Sequence, residues 1–127
     1  MSGKSVLVAD DDADVLTALM LRCEQLGLDV AVAGDAMTAL MMFQINPPDL
    51  LIIDVNMPRG NGISVCEMLA ADAHHRDIPL IVLTGRSDDE TIARCRRAGV
   101  HYVFKKGDVW ERIKPLVRSA LGIAIED

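Results

Sequence analysis

Aromatic side chains are scarce in this chain: one Trp, one Tyr and two Phe among 127 residues. A core must therefore be filled by Leu, Ile, Val, Ala and the seven Met. Basic residues also fall short, with 13 Lys and Arg against 19 Asp and Glu, a net charge of −6 and a pI near 4.9. That balance argues against direct binding to nucleic acid, which takes a basic surface, and leaves a basic protein partner open. The three cysteines, Cys23, Cys66 and Cys95, are far apart and form no CxxC pair. They offer neither a zinc site nor a disulfide framework, and read as buried free thiols in a reducing compartment. The longest apolar run, Ala39-Leu40-Met41-Met42-Phe43, is too short to span a bilayer. Met1-Ser2-Gly3-Lys4 leads directly into a strand pattern rather than a signal peptide. A cytoplasmic protein without membrane insertion is expected. Half of the residues are apolar and a quarter charged, which excludes disorder and suits one domain with a real core.

What is present is a strict alternation. Five short apolar runs, Ser5–Ala9, Asp29–Ala33, Leu50–Ile53, Leu80–Leu83 and Tyr102–Phe104, are separated by helical patterns. The second and fifth runs are the less apolar, as edge strands are. A first helix is expected over Ala13–Leu26, with Gly27 as its stop. Asp35 can cap a second helix that runs to Ile45 before Asn46-Pro47-Pro48, and a third covers Ile63–Ala71. Ser87 with Glu90, and Asp108 with Glu111, have capping-box spacing and open the last two helices. In the last helix Val109, Ile113, Leu116, Val117 and Ala120 make the buried stripe. Strand–helix alternation implies an α/β fold whose parallel sheet is covered on both faces.

Chemistry gathers at the ends of the strands. Asp54 closes the run Leu50-Leu51-Ile52-Ile53 and precedes Val55-Asn56-Met57-Pro58-Arg59-Gly60-Asn61-Gly62. Asp10-Asp11-Asp12 closes Val6-Leu7-Val8-Ala9, Thr84-Gly85 follows the fourth strand and Lys105 ends the fifth. In an open parallel sheet these positions share the carboxyl rim, where ligands bind. Clustered carboxylates repel and raise one another's pKa unless a hard cation such as Mg²⁺ joins them. Carboxylates, a metal, a hydroxyl and a lysine suit phosphoryl transfer, with one carboxylate as nucleophile. The bland readings concern single residues: Asp12 is more simply a helix cap than a ligand, and His74-His75 a solvated loop. Trp110 reads as boundary packing, and Asp88-Asp89-Glu90 as charges favoured at a helix start.

Taken in order, these motifs resemble the receiver domain of two-component response regulators, of the kind found as chemotaxis regulators. The likeness runs from Val6 to about Leu121. It rests on Val8-Ala9-Asp10-Asp11-Asp12, on Asp54-Val55-Asn56-Met57-Pro58 with Gly62, on Thr84-Gly85, on Lys105 and on Tyr102. The resemblance implies a doubly wound, flavodoxin-like fold of five parallel strands in the order 2-1-3-4-5 with five helices. It implies that residues 1–127 form a single receiver domain, with no output domain visible. Asp54 is then the phosphoacceptor for a histidine kinase or a histidine phosphotransfer protein. Asp11, Asp54 and the backbone carbonyl of Asn56 hold Mg²⁺, with Asp10 acting through a water. Thr84 and Lys105 contact the phosphoryl group, and Thr84 with Tyr102 forms the switch. The altered surface then regulates a downstream protein target or output domain, and the chain is a monomer or a phosphorylation-linked dimer. Such a domain catalyses only its own phosphorylation and dephosphorylation and is not a turnover enzyme.

One position departs from the family. Where a proline in a cis peptide usually follows the lysine, this chain has Lys106. A cis bond before a non-proline residue costs roughly 3 kcal/mol, against under about 1 kcal/mol before proline. A trans bond with Lys105 still reaching the pocket is the favoured expectation. An imposed cis bond, or Lys106 in the place of Lys105, stays open. The departure also sustains an alternative function, a receiver-shaped binding module that works without phosphorylation. Two other acid-rich readings fail. In an EF-hand loop opened by Asp10, Val15 stands where Gly is needed and Leu21 where Glu is needed. A phosphatase of the haloacid-dehalogenase type generally has a larger core and a cap.

Overall fold

The computed structural model describes residues 3–75, 77–85, 89–107 and 110–122. The elements follow in the order β1 (Ser5–Ala9), α1 (Ala13–Gln25), β2 (Asp29–Ala33), α2 (Ala36–Ile45), β3 (Leu50–Asp54), β4 (Asn56–Met57), β5 (Gly60–Asn61), α3 (Gly62–Ala71), β6 (Leu80–Thr84), α4 (Asp89–Arg97), β7 (Tyr102–Lys105) and α5 (Trp110–Ala120). Five strands form one parallel sheet in the order β2-β1-β3-β6-β7. The large strands thus follow the expected 2-1-3-4-5 order in a doubly wound, flavodoxin-like α/β fold. The hairpin β4–β5 was not foreseen from the sequence, being only two residues on each side.

Side-chain alternation divides the core into two layers. Leu7, Ala9, Leu51, Ile53, Leu80 and Val82 pack with α2, α3 and α4 through Phe43, Cys66, Leu69 and Cys95. Val6, Val8, Leu50, Ile52, Ile81 and Leu83 pack with α1 and α5 through Leu19, Cys23, Ile113 and Val117. The central strands β3 and β6 are buried at every residue, as near-continuous Leu/Ile/Val runs must be. The three cysteines are free and buried. Burial pushes the Cys23 and Cys66 thiols up to about 12, so neither supplies a thiolate at neutral pH.

The caps follow the sequence signals where they are described. Asp12 accepts from the Asp14 and Val15 amides at the start of α1. Asp35 accepts from the Thr38 amide at 2.7 Å at the start of α2. Gly27, at φ +81°, turns the chain after α1, a conformation only glycine enters without strain. The proposed caps Ser87 and Asp108, with Asp88 and Val109, lie outside the described residues. Trp110 is buried against α1, with the Arg22 guanidinium 5.9 Å from its ring. Pro115 sits inside α5 with its residue exposed to solvent, an interruption that the apolar stripe gave no sign of. Among the described residues no helix is long and apolar enough to cross a membrane.

The turn from β3 into α3 is closely packed at Gly62. The Gly62 amide donates to the Val55 carbonyl at 2.9 Å. A Cβ on Gly62 would collide with the backbone carbonyl oxygen of Asp54. Backbone cannot give way there as a flexible side chain could. Gly62→Ala is therefore expected to destabilise the fold by about 2–4 kcal/mol, read as a lower urea midpoint with an unchanged slope. An unaltered midpoint would show that the Asp54–Gly62 turn has slack.

Candidate functional site

The pairing of β1 with β3 sets Ala9 beside Ile53, so Asp10 and Asp54 leave the sheet side by side. Both are almost fully buried, at 1% and 4% exposure. Carboxylate oxygens of Asp10, Asp11 and Asp54 lie within 4.8 Å of one another, with Asp11 facing solvent. The three consecutive aspartates thus divide their work. Asp12 caps α1, Asp11 lines the mouth, and Asp10 accepts the Asp12 amide through Oδ1 at 2.9 Å. Thr84, fully buried, ends β6 beside them. Next to the carboxylates lies a polar cleft of about 240 Å³ lined by Val55, Asn56, Asn61, Ile63, Thr84, Glu90, Thr91 and Arg94. Arg94 on α4 is tied to α3 by 3.1 Å bonds to Ser64 Oγ and Glu67 Oε1.

The cation that answers these carboxylates is Lys106. Its Nζ donates to Asp10 Oδ1 and Asp54 Oδ2, both at 3.1 Å, and lies 2.9 Å from Asp10 Oδ2. Lys105, the expected ligand, is exposed at the end of β7, so the sequence assignment shifts by one residue. The reason is local geometry. Lys105 pairs with Thr84 in the sheet register, whereas the Lys106 amide donates to the Thr84 carbonyl at 2.8 Å just past the strand. The bond between the two lysines is trans, and Gly107 at φ +126° then carries the chain away. Lys106 had been left open as a substitute; the pairing register of β6 and β7 is the signal that selects it.

The same shift moves the aromatic. Tyr102 stands three residues before Lys105; three residues before Lys106 is Val103, half-buried against the α4 layer. Tyr102 is 40% exposed on the edge strand with its ring tilted against His101. The structure therefore does not bring it to the carboxylates. Arg86, which follows Gly85, lies outside the described residues.

Electrostatics follow from burial. Burial pushes the Asp54 carboxyl above the ordinary range and the neighbouring Asp10 charge adds to this, against the pull of the Lys106 ammonium and the Asn56 amide. For Lys106, burial opposes the charged form, but its bonds to Asp10 and Asp54 outweigh that and hold its pKa above the usual value. One lysine does not neutralise three carboxylates, and Asp10 Oδ2, though 2.9 Å from its Nζ, has no aligned hydrogen-bond donor. Carboxylate oxygens at this spacing, one of them facing solvent, fit a hard oxygen-seeking divalent cation such as Mg²⁺.

The pattern of the response regulator receiver domain matches residues 6–117. The transcriptional regulatory protein PrrA of Mycobacterium tuberculosis is 37% identical over 89% of this chain and 49% of its own length. The DNA-binding response regulator MtrA of Mycobacterium leprae is 32% identical over 89% of the chain and 51% of its own length. The chain thus spans about half the length of the curated relatives it matches. Among solved structures, the receiver domain of Francisella response regulator 1452 superposes with a TM-score of 0.85 at 27% identity, covering 94% of this chain and 98% of that one. The signal receiver domain of a histidine kinase from Syntrophus aciditrophicus gives 0.86 at 25% identity, covering 98% and 96%.

A pH dependence follows from Asp54. Its folded pKa lies above the unfolded value, so between the two the native state holds more protons and stability falls as pH rises through that window. Above it the buried charge bears its full cost. In metal-free buffer, Asp54→Asn should raise the thermal midpoint at neutral pH, and the gain should shrink as pH falls toward the ordinary carboxylate pKa. Loss of the Lys106 contact offsets only part of the gain, because that ammonium keeps Asp10 and is 27% exposed. Equal or lower midpoints for the variant at neutral pH would contradict this electrostatic picture.

Proposed function

Because the chain belongs to the response regulator receiver domain family, we propose that it is a Mg²⁺-dependent phosphoacceptor switch of a two-component system in which Asp54 is the modified residue. The observation that carries this reading is the convergence of the Asp10, Asp11 and Asp54 carboxylates on the rim, with Lys106 Nζ 3.1 Å from Asp54 Oδ2. The donor is a phosphohistidine of a histidine kinase or of a histidine phosphotransfer protein. An Asp54 carboxylate oxygen attacks phosphorus, the P–N bond breaks, and its electron pair leaves with the imidazole nitrogen. Phosphorylation takes an oxygen of Asp54 away from Lys106, whose ammonium then faces the phosphoryl oxygens. Thr84, at the end of β6, has a hydroxyl to donate to the same group. Mg²⁺ held by Asp11, Asp54 and the Asn56 carbonyl, with Asp10 through a water, would screen the phosphoryl charge. Water later hydrolyses the acyl phosphate and restores Asp54, so the domain acts on itself and turns over no external metabolite.

The relatives named above are transcriptional or DNA-binding regulators. The proposal for this chain is that its modified surface acts on a downstream protein or an attached output domain, in the cytoplasm. The rival reading, a receiver-shaped module that works without phosphorylation, drew on the missing proline. With Lys106 against Asp54 on a trans backbone, that departure no longer argues for an impaired site.

Intact-protein mass after incubation with acetyl phosphate tests the reading. A single phosphoryl adduct is expected with Mg²⁺, absent without it and absent in Asp54→Ala. Lys106→Ala should slow labelling about 100-fold, the scale of losing one charge-stabilising donor, while Lys105→Ala labels at the wild-type rate. No adduct on folded protein would favour the binding module, and equal effects of the two lysines would undo the shifted assignment.

A further inference from the structure

In a chain where a quarter of the residues are charged, residues 30–48 carry one charged side chain, Asp35. They include edge strand β2 and helix α2, and both leave apolar groups in solvent. Val32 on the strand and Met37, Met41 and Ile45 on the helix are exposed, Ile45 at 81%. Met42 and Ile45 line a groove of about 300 Å³ with Val30, Ala31 and Pro48, so this flank of α2 looks toward the free edge of the sheet. Among the described residues β2 pairs only with β1. The Asp29 amide donates to the Lys4 carbonyl and the Ala33 carbonyl accepts from the Asp10 amide, so Asp29, Ala31 and Ala33 turn their backbone groups toward β1. Val30 and Val32, alternating with them, turn theirs outward. Lysine or proline commonly blunts such an edge, and neither stands on β2.

We propose that the β2–α2 edge is the interface of a symmetric dimer, in which the β2 strands of two copies pair antiparallel about Ala31 and join two five-stranded sheets into one. The arrangement is self-complementary. With Ala31 opposite its own copy, Val30 meets Val32 of the second copy, and each such pair exchanges two backbone hydrogen bonds. The helices agree with the strands. α2 packs over both β1 and β2, so its axis lies inside the edge by about half the strand spacing of about 4.8 Å. Joining two edges at that spacing sets the α2 axes about 10 Å apart, the distance of packed helices. The two helices run antiparallel, with Met41 and Met42 near their own copies, and Ile45 and the groove leave water. Charge agrees as well. The pairing brings Asp29 opposite Ala33 of the second copy, next to the end where Arg59 stands 3.9 Å from Asp35 with its side chain 64% exposed. A carboxylate thus meets a guanidinium at each end, and the middle holds no charge to repel. A strand from another protein would satisfy the same backbone groups but leave the apolar flank of α2 in water.

Sedimentation equilibrium of the unphosphorylated chain over a range of concentrations tests the proposal. The expected result is a reversible monomer–dimer equilibrium with nothing larger, at least tenfold weaker in Val32→Lys and in Ile45→Lys. Met68→Lys, at a similarly exposed apolar position on α3, leaves the equilibrium unchanged. A thiol placed at the two-fold reads the register even where a lysine unfolds the strand. In a non-hydrogen-bonded antiparallel pair the Cα atoms lie about 4.5 Å apart, within disulfide reach. Ala31→Cys should therefore form a covalent dimer under mild oxidation, while Met68→Cys does not. The three native thiols are buried and do not compete. Because this edge holds none of the carboxylates around Asp54, the inference stands apart from the switch reading, and Asp54→Ala dimerises as the wild type does. A monomer at every concentration, open-ended oligomers, a dimer indifferent to Val32→Lys and Ile45→Lys, failure of Ala31→Cys to cross-link, or a dimer lost in Asp54→Ala would overturn the proposal.

Discussion

The rest of this structure depends on two carboxylates that the parallel sheet forces together. Pairing β1 with β3 buries Asp10 beside Asp54, and neither can withdraw because each continues a strand whose apolar residues are locked into both core layers. Two buried anions at such spacing need a cation. Lys106 supplies it from the far side of β6, through a loop that runs past the Thr84 carbonyl and turns away at Gly107. Buried charge pairs of this kind seldom add net stability, since desolvation cancels much of the attraction. On the switch reading proposed above, their value would lie in accepting a further cation and in changing when the charge of Asp54 changes.

The same geometry gives a physical route from chemistry to surface. Lys106 follows β7 directly, and β7 carries the exposed Lys105 and Tyr102. Thr84 ends the neighbouring strand, in register with Lys105. α4 borders the cleft through Glu90, Thr91 and Arg94, and Arg94 holds it to α3 through Ser64 and Glu67. A new dianionic group on Asp54 would face Lys106, which follows β7, and Thr84, which ends β6 and lines the cleft bordered by α4. No long chain of intermediates is needed.

Much of this was legible in the sequence because the signals were local and of one kind. The apolar runs, the caps at Asp12 and Asp35, the stop at Gly27 and the acids at strand ends all have short-range causes. Asp54 and Asp10 could be placed because strand ends in a parallel sheet share one rim. Lys106 could not be chosen over Lys105, since adjacent lysines look alike until the β6–β7 register says which one clears the strand. The hairpin β4–β5 is too short to leave a period, and Pro115 contradicts helix propensity at a position that α5 tolerates by exposing it.

The central claim is that Lys106, not Lys105, is the counter-cation of Asp54. The most direct measurement is a pH titration of the Asp54 carboxyl carbon by NMR in metal-free buffer, for the wild type, Lys106→Met and Lys105→Met. Removing the charge at 3.1 Å should raise the Asp54 pKa further in Lys106→Met, while Lys105→Met titrates with the wild type. An Asp54 pKa that moves with Lys105 and ignores Lys106 would contradict the account.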